Sequence, residues 1–202
     1  MELIFDVFIY AIIAILIGIC AAWIFLIKSM IDSFRLTPYL DKFENKSKST
    51  PKVSIILPAR NEENFIGKCL DSLIKQDYQN YEIIVIDDSS EDSTWKIISE
   101  YAKTDSKIVP VSAKPKPDGW VGKNWACMEG YHKAAGELLL FTDADTNHSK
   151  NVISLAVAHL NSFDLDALSA IPKMLTLDFW TSVTLPMIST FLHTRFSALN
   201  VN

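Results

Sequence analysis

Two carboxylates, Asp143 and Asp145, with only Ala144 between them, stand just past the apolar run from Leu138 to Phe141, one threonine on. Like charges this close repel unless a cation, a proton or hydrogen-bond donors compensate them. A bound cation resolves the conflict. With oxygen donors only and no Cys or His pair nearby, the expected ion is hard, Mg²⁺ or Mn²⁺, which proteins hold through one or two carboxylates and the phosphates of a substrate. His148 follows closely, but a single histidine there reads more readily as a surface or capping residue than as part of a site. A D-x-D pair also occurs in solvated loops and helix caps; its place at the end of an apolar strand is what favours a site.

The elements that must position these acids follow from periodicity. "VSIILP" reads as a strand stopped by Pro58, and "ENFIGKCLDSLIKQ" as a helix with Phe65, Ile66, Cys69, Leu70, Leu73 and Ile74 on one face. "YEIIVID" is a second strand ending at Asp87 and Asp88; Ser93 is placed to cap the helix "WKIISEYAK"; "KIVPVS" is a third strand. Lys123 to Ala135 reads as helical, "GELLLFT" as a fourth strand, and Ser149 as the cap of a helix running to about Asn161. Strands alternating with helices imply a mostly parallel sheet covered on both faces, in an α/β domain. Ligands of such sheets bind beyond the carboxyl ends of the strands. Three polar clusters fall there: Pro58 to Glu62 after the first strand, Asp87 and Asp88 after the second, Asp143 and Asp145 after the fourth.

Bulk properties narrow the function classes. The 202 residues are 49% apolar and 21% charged, which is ordinary for a folded domain, and the formal net charge is −5. With no basic stripe carrying interleaved aromatics, nucleic acid is excluded as a partner. Cys20, Cys69 and Cys127 are scattered and fit a reducing compartment. Val7 to Ile27 carries no charge and is long enough to cross a bilayer core of ~30 Å at about 1.5 Å per residue. A cleaved signal peptide fits less well, because Glu2 and Asp6 precede the run and it ends bulky in "WIFLIK"; a buried helix of a soluble protein is the other alternative. Lys28, Arg35, Lys42, Lys46, Lys48 and Lys52 follow, so the positive-inside bias places the remainder in the cytoplasm, as a single-pass protein of the cell membrane. "DKFENKSKSTPK", Asp41 to Lys52, reads as a linker.

Taken in order, "VSIILPARNEE", "YEIIVIDDSSEDST", "GWVGKNWA" and "AAGELLLFTDADT" resemble the large family 2 of inverting glycosyltransferases, whose domain is the GT-A fold. The resemblance covers roughly Val53 to Pro172. "GWVGKNWA" with "LLFTDADTNHS" further resembles the membrane-bound subset associated with hopanoid and carotenoid-type lipid glycosylation. With the apolar run and the linker before it, the chain is expected to divide into an anchor (1–28), a linker (29–52), a donor-binding domain (53–175) and an apolar helical segment (176–202). The resemblance implies a nucleotide-sugar donor linked to UDP or GDP, and the anchor suggests a lipid or polyprenyl-type acceptor at a membrane. Pro58, Ala59, Arg60 and Glu62 would contact base and ribose, and Asp88 the base ring. Asp145 would ligate the metal and Asp143 the ribose or a metal-bound water, the two forming the catalytic pair. Lys123, between Gly119, Gly122 and a helix, suits a diphosphate.

Each residue also has a plainer reading: Arg60 and Glu62 as a surface ion pair at a helix start, Asp87 as a turn residue, Lys123 as a solvated loop lysine, Trp120 and Trp125 as packing. The general base of such enzymes is expected in a later acidic pair, yet Asp178 is the only acid after Pro172. The chain is therefore expected to be a fragment or split product that binds donor and metal without turnover, with "DFWTSVTLPMISTFLHTRFSALNVN" an interfacial helix pair broken at Pro186. Two other classes remain, a nucleotidyltransferase, against which the absence of glycine in "LPARNEE" speaks, and a non-catalytic membrane protein that recruits a partner.

Overall fold

The computed structural model describes residues 2–36, 40, 50–170, 172 and 178–195. The expected linker lies outside these residues from Asp41 to 49, and with it Lys42, Lys46 and Lys48. The chain divides into two compact units, one of Phe43–Ser169 and one of Met1–Lys42 with Ala170–Asn202.

In the second of these units, helix α1 spans Glu2–Leu36, and its stretch Phe5–Ser29 is long and apolar enough to cross a membrane. Phe8, Ile15, Trp23 and Phe25 along it are exposed.

The larger unit is a four-stranded, wholly parallel sheet: β1 (Val53–Ala59), β2 (Tyr81–Asp87), β3 (Ile108–Ser112) and β4 (Leu138–Phe141), in the order β3-β2-β1-β4. Helices α2 (Ile66–Ile74), α3 (Thr94–Thr104), α4 (Gly122–Tyr131) and α5 (Val152–Phe163) connect or follow the strands. The two central strands are buried on both sides, which is why they read as unbroken β-branched runs rather than alternating ones. Ile55, Leu57, Ile83 and Val85 share one core with Ile66, Leu70 and Leu73 of α2, Ile98 of α3, and Ile153 and Val157 of α5. Ile56, Ile84 and Ile86 form a second core with Ala126 of α4. Gly130 makes that packing close: a Cβ there would lie 2.6 Å from Ile86 Cδ1 and 2.8 Å from Ile56 Cγ2.

Pro58 does not stop β1, which runs on to Ala59 in register with Asp87. The carbonyl of Ile56 accepts from Thr142 N–H on the β4 side, and that of Ala59 accepts from Asp88 N–H on the β2 side. Alternation therefore turns the missing N–H of Pro58 toward β4, whose ladder has already ended at Phe141.

Helix ends differ from the sequence reading because tertiary contacts decide them. α2 begins at Ile66, leaving Phe65 exposed rather than on the buried face. The Ser93 side chain makes no cap; the Asp92 carboxylate accepts from Thr94 N–H instead (2.9 Å). α4 stops at Tyr131, not Ala135, with tight turns following as Lys133 and Ala134 N–H bond to Gly130 and Tyr131 carbonyls. Ser149 contributes its carbonyl to Val152 N–H, not its hydroxyl. Helix α6 (Phe179–Arg195) runs through Pro186 as one helix, where a pair was expected, and Asp178 caps it by accepting from Thr181 N–H at 2.8 Å.

One buried-edge cluster fixes where β4 begins. Glu82 on β2 accepts from Lys52 Nζ (2.7 Å), Ser54 Oγ (2.6 Å) and Ala135 N–H (2.8 Å), and Ser54 Oγ accepts from Gly136 N–H (2.8 Å). Partial burial pushes the Glu82 carboxyl up, but the three donors together outweigh it and hold it below the ordinary value. A depressed carboxylate adds stability that is present above the ordinary carboxylate range and is lost as pH falls through the folded value. Glu82→Gln is accordingly expected to cost about 1.5 kcal/mol at neutral pH, and to remove part of the acid-side loss, in chemical denaturation followed against pH.

Candidate active site at the end of the sheet

Chain order reverses between β1 and β4, since β2 and β3 build outward on one side of β1 and β4 returns to the other. Such a switch opens a crevice at the carboxyl ends of the strands. A cavity of about 330 Å³ lies there, and every site residue expected from the sequence lines it: Pro58, Ala59, Arg60 and Glu62 from the end of β1, Asp88 after β2, Lys123 on α4, and Asp143 and Asp145 after β4. Gly122, Ala126 and Ala144 complete the wall.

The acids after β4 are held outward by the residue between them. Ala144 is buried in the main core, so its two neighbours stand exposed. The loop is tied from behind. Thr146 Oγ1 donates to the Asp143 carbonyl (2.7 Å), and Nε2 of His148 bonds to the hydroxyls of Thr142 (3.0 Å) and Thr146 (2.9 Å). Burial lowers the pKa of His148, favouring the neutral ring. The Cys69 thiol, pushed up to about 11 chiefly by burial, stays protonated and donates to the Asp143 carbonyl at 3.7 Å. His148 thus fastens the loop rather than facing the cavity. His148→Ala is expected to lower thermal stability by about 1 kcal/mol, since the two threonine hydroxyls still bond each other at 3.1 Å.

The first two polar loops are laced together. Asn61, in the left-handed region at φ 55°, donates its N–H to Ser90 Oγ and accepts from Glu91 N–H; Glu62 N–H bonds to Thr94 Oγ1; Glu63 and Asp92 exchange bonds with the backbone of Ser93 and Glu63. This lacing presents Arg60 and Glu62 to the cavity. Asp87 closes β2, and its carboxylate reaches into the turn that follows, accepting from Ser90 N–H at 3.4 Å.

Charge is only partly balanced. Lys123 Nζ lies 2.6 Å from Asp143 Oδ1, and Arg60 Nη1 lies 3.9 Å from Asp88 Oδ2 rather than pairing with Glu62. Among the described residues Asp145 has no cationic partner within ion-pair distance. Burial raises the Glu62 pKa, helped by the charges of Asp145, Asp92 and Asp143, with Lys123 opposing. Among the described residues no three acidic, histidine or cysteine side chains gather into a protein-only metal cage. An oxygen-donor pair beside free cavity volume instead suits a hard ion whose remaining ligands come from a bound phosphate. Trp120 and Trp125 pack edge to face at 5.3 Å, and the Trp125 indole donates to the Lys114 carbonyl, so they brace the loop before α4.

The family model of glycosyl transferase family 2 matches residues 54–196. The chain belongs to glycosyltransferase family 2. This family-2 chain is 38% identical over 109 residues to a 4,4'-diaponeurosporenoate glycosyltransferase of Staphylococcus haemolyticus, covering 53% of the chain and 28% of that protein. It is 32% identical over 123 residues to a probable glycosyltransferase, YdaM, of Bacillus subtilis, covering 60% of the chain and 29% of the relative. It thus spans less than a third of the length of both relatives. A mannosyltransferase of Pyrobaculum calidifontis, solved with GDP-mannose and Mn²⁺, superposes with a TM-score of 0.56 at 24% identity, over 71% of this chain and 42% of that one. That likeness supports the GT-A fold, the α/β architecture expected from the sequence.

Proposed function

We propose that the chain carries the donor site of a membrane-anchored glycosyltransferase, which moves a sugar from a UDP- or GDP-linked donor to a lipid-type acceptor with inversion. The observation that carries this reading is the cavity at the β1/β4 switch, where Arg60, Lys123 and the acids of three loops meet. In this reading Asp88 accepts from the N–H groups of a nucleobase; Arg60 beside it, with Pro58 and Ala59 in the same wall, supports that role. Lys123 occupies the first turn of α4, where the helix N-terminus also favours negative charge, and so attracts the diphosphate. By exchanging Asp143 for phosphate oxygens, Lys123 would free that carboxylate for the ribose or for the metal site.

Asp145, with Asp143, is the pair that would hold Mg²⁺ or Mn²⁺. When bound, the ion supplies positive charge at the diphosphate as the sugar–phosphate bond breaks. Inverting transfer also needs a general base at the acceptor hydroxyl. Asp178 is not that base in this reading, because its carboxylate caps α6. Lys28 at the end of the apolar stretch of α1 and Arg35 beyond it support an anchor with the sheet on the cytoplasmic side. The 38% identity to a diaponeurosporenoate glycosyltransferase supports an acceptor of lipid type.

The test is incubation of the full chain in membranes with labelled UDP- and GDP-sugars, and separately with nucleoside triphosphates, in the presence of Mn²⁺. Retention or consumption of a nucleotide-sugar, with triphosphates left intact, is expected. Consumption of triphosphates alone would make the protein a nucleotidyltransferase and overturn the reading.

A further inference from the structure

A second concavity, of about 350 Å³, lies between α2 and the loop before α5. Lys68 and Lys75 reach it from the α2 side, two turns apart on one helical face, and Lys150 closes it from the loop. None of the three lysines has a carboxylate within ion-pair distance among the described residues. Asp71, the acid in the wall, is engaged by the Tyr101 hydroxyl at 2.9 Å. In a chain whose formal net charge is −5, three ammonium groups against the one carboxylate of Asp71 leave this hollow with a net positive local field.

The hollow is built rather than incidental. His148 N–H donates to Ser72 Oγ (3.1 Å), Gln76 Nε2 donates to the Ser149 carbonyl (2.8 Å), and Asp77 N–H donates to the Lys150 carbonyl (2.7 Å). These bonds fix the loop against α2 from His148 up to Lys150, so the backbone positions of the lysines have a fixed spacing. His148, in the wall, is the same residue that ties the hydroxyls of Thr142 and Thr146 behind the acidic pair.

We propose that the hollow formed by Lys68, Lys75 and Lys150 binds an oxyanion of the phosphate class, separately from the cavity at the β1/β4 switch. Several ammonium groups around one small volume favour a compact, multiply charged anion with several acceptor oxygens over a single carboxylate. A free phosphate and the headgroup of a phosphomonoester lipid share this chemistry.

The experiment uses the full chain in detergent, in a Lys123→Gln background with EDTA present, so that phosphate at the sheet-end cavity is not counted. Inorganic phosphate is titrated calorimetrically into this protein, into a Lys68→Gln/Lys75→Gln/Lys150→Gln form, and into a charge-matched Lys96→Gln/Lys103→Gln/Lys133→Gln form. A short-chain phosphatidic acid and a short-chain phosphatidylcholine are titrated in parallel. The expected result is at least about tenfold weaker binding when the three pocket lysines are removed, and little change in the charge-matched form. Pocket-dependent binding of phosphate identifies the free anion as ligand; pocket-dependent binding of phosphatidic acid alone identifies the lipid headgroup. Binding of neither probe, or equal loss in both triple variants, would overturn the proposal.

Discussion

Asp145→Asn is expected to weaken metal-dependent binding of UDP or GDP by about a hundredfold while leaving metal-free binding unchanged or slightly stronger. The asymmetry follows from the ion pairs. Lys123 already neutralises Asp143 at 2.6 Å, and Arg60 faces Asp88 at 3.9 Å, so Asp145 is the acid of the loop left to a cation from outside. Removing its charge makes the cavity less negative, which favours a bare diphosphate, but takes away the carboxylate proposed to ligate a divalent ion. Asp143→Asn should act more weakly, because releasing Lys123 toward the phosphates offsets part of what is lost. Equilibrium dialysis of labelled nucleotide with Mn²⁺ and with EDTA separates the two effects. Equal losses under both conditions would assign Asp145 a structural role and remove the metal from the account.

Gly136→Ala is expected to destabilise the sheet unit by about 3 kcal/mol, the largest effect on stability from one added methyl. A Cβ at this position would lie 2.6 Å from Ser54 N, 2.7 Å from the Lys52 carbonyl and 2.7 Å from Ser54 Oγ. Two of these are backbone atoms of the segment leading into the central strand, which cannot swing aside as a side chain would. At Gly130 the atoms met are side-chain carbons of Ile86 and Ile56 rather than backbone, so Gly130→Ala should cost less. Gly136 also donates its N–H to Ser54 Oγ within the Glu82 cluster, so displacement there disturbs the start of β4 and the acids at its end. Urea denaturation of both variants measures the difference; a Gly136→Ala protein as stable as the parent would contradict the close approach.

The order of elements was legible because the two central strands are apolar on both faces and the amphipathic helices between them carry a clear 3.6-residue period, as in "IGKCLDSLI". Convergence of Arg60, Asp88 and the two acids followed from strand direction alone, since parallel strands deliver their carboxyl ends to one rim. Boundaries were less legible. Pro58 looked like a stop because the ending of the neighbouring ladder at Phe141 is a property of the sheet, not of β1. Ser93 and Ser149 looked like caps because serine prefers that position, yet Asp92 and a backbone carbonyl made the bonds. The fastening of the acidic loop by Thr142, Thr146, His148 and Cys69 joins residues 77 apart in the chain at its widest, which no local pattern announces. Its one local trace is the pair of threonines flanking "DAD" four positions apart.

The central claim is that a nucleoside diphosphate binds at the β1/β4 switch through a divalent ion on Asp145 and the ammonium of Lys123. It is tested most directly by calorimetric titration of UDP and of GDP into the full chain, once with Mn²⁺ and once with EDTA. The account predicts saturable one-site binding of at least one of the two nucleotides, about tenfold or more tighter with Mn²⁺, and markedly weakened by Lys123→Gln. No saturable binding of either nucleotide, or isotherms unchanged by EDTA and by the loss of Lys123, would contradict it.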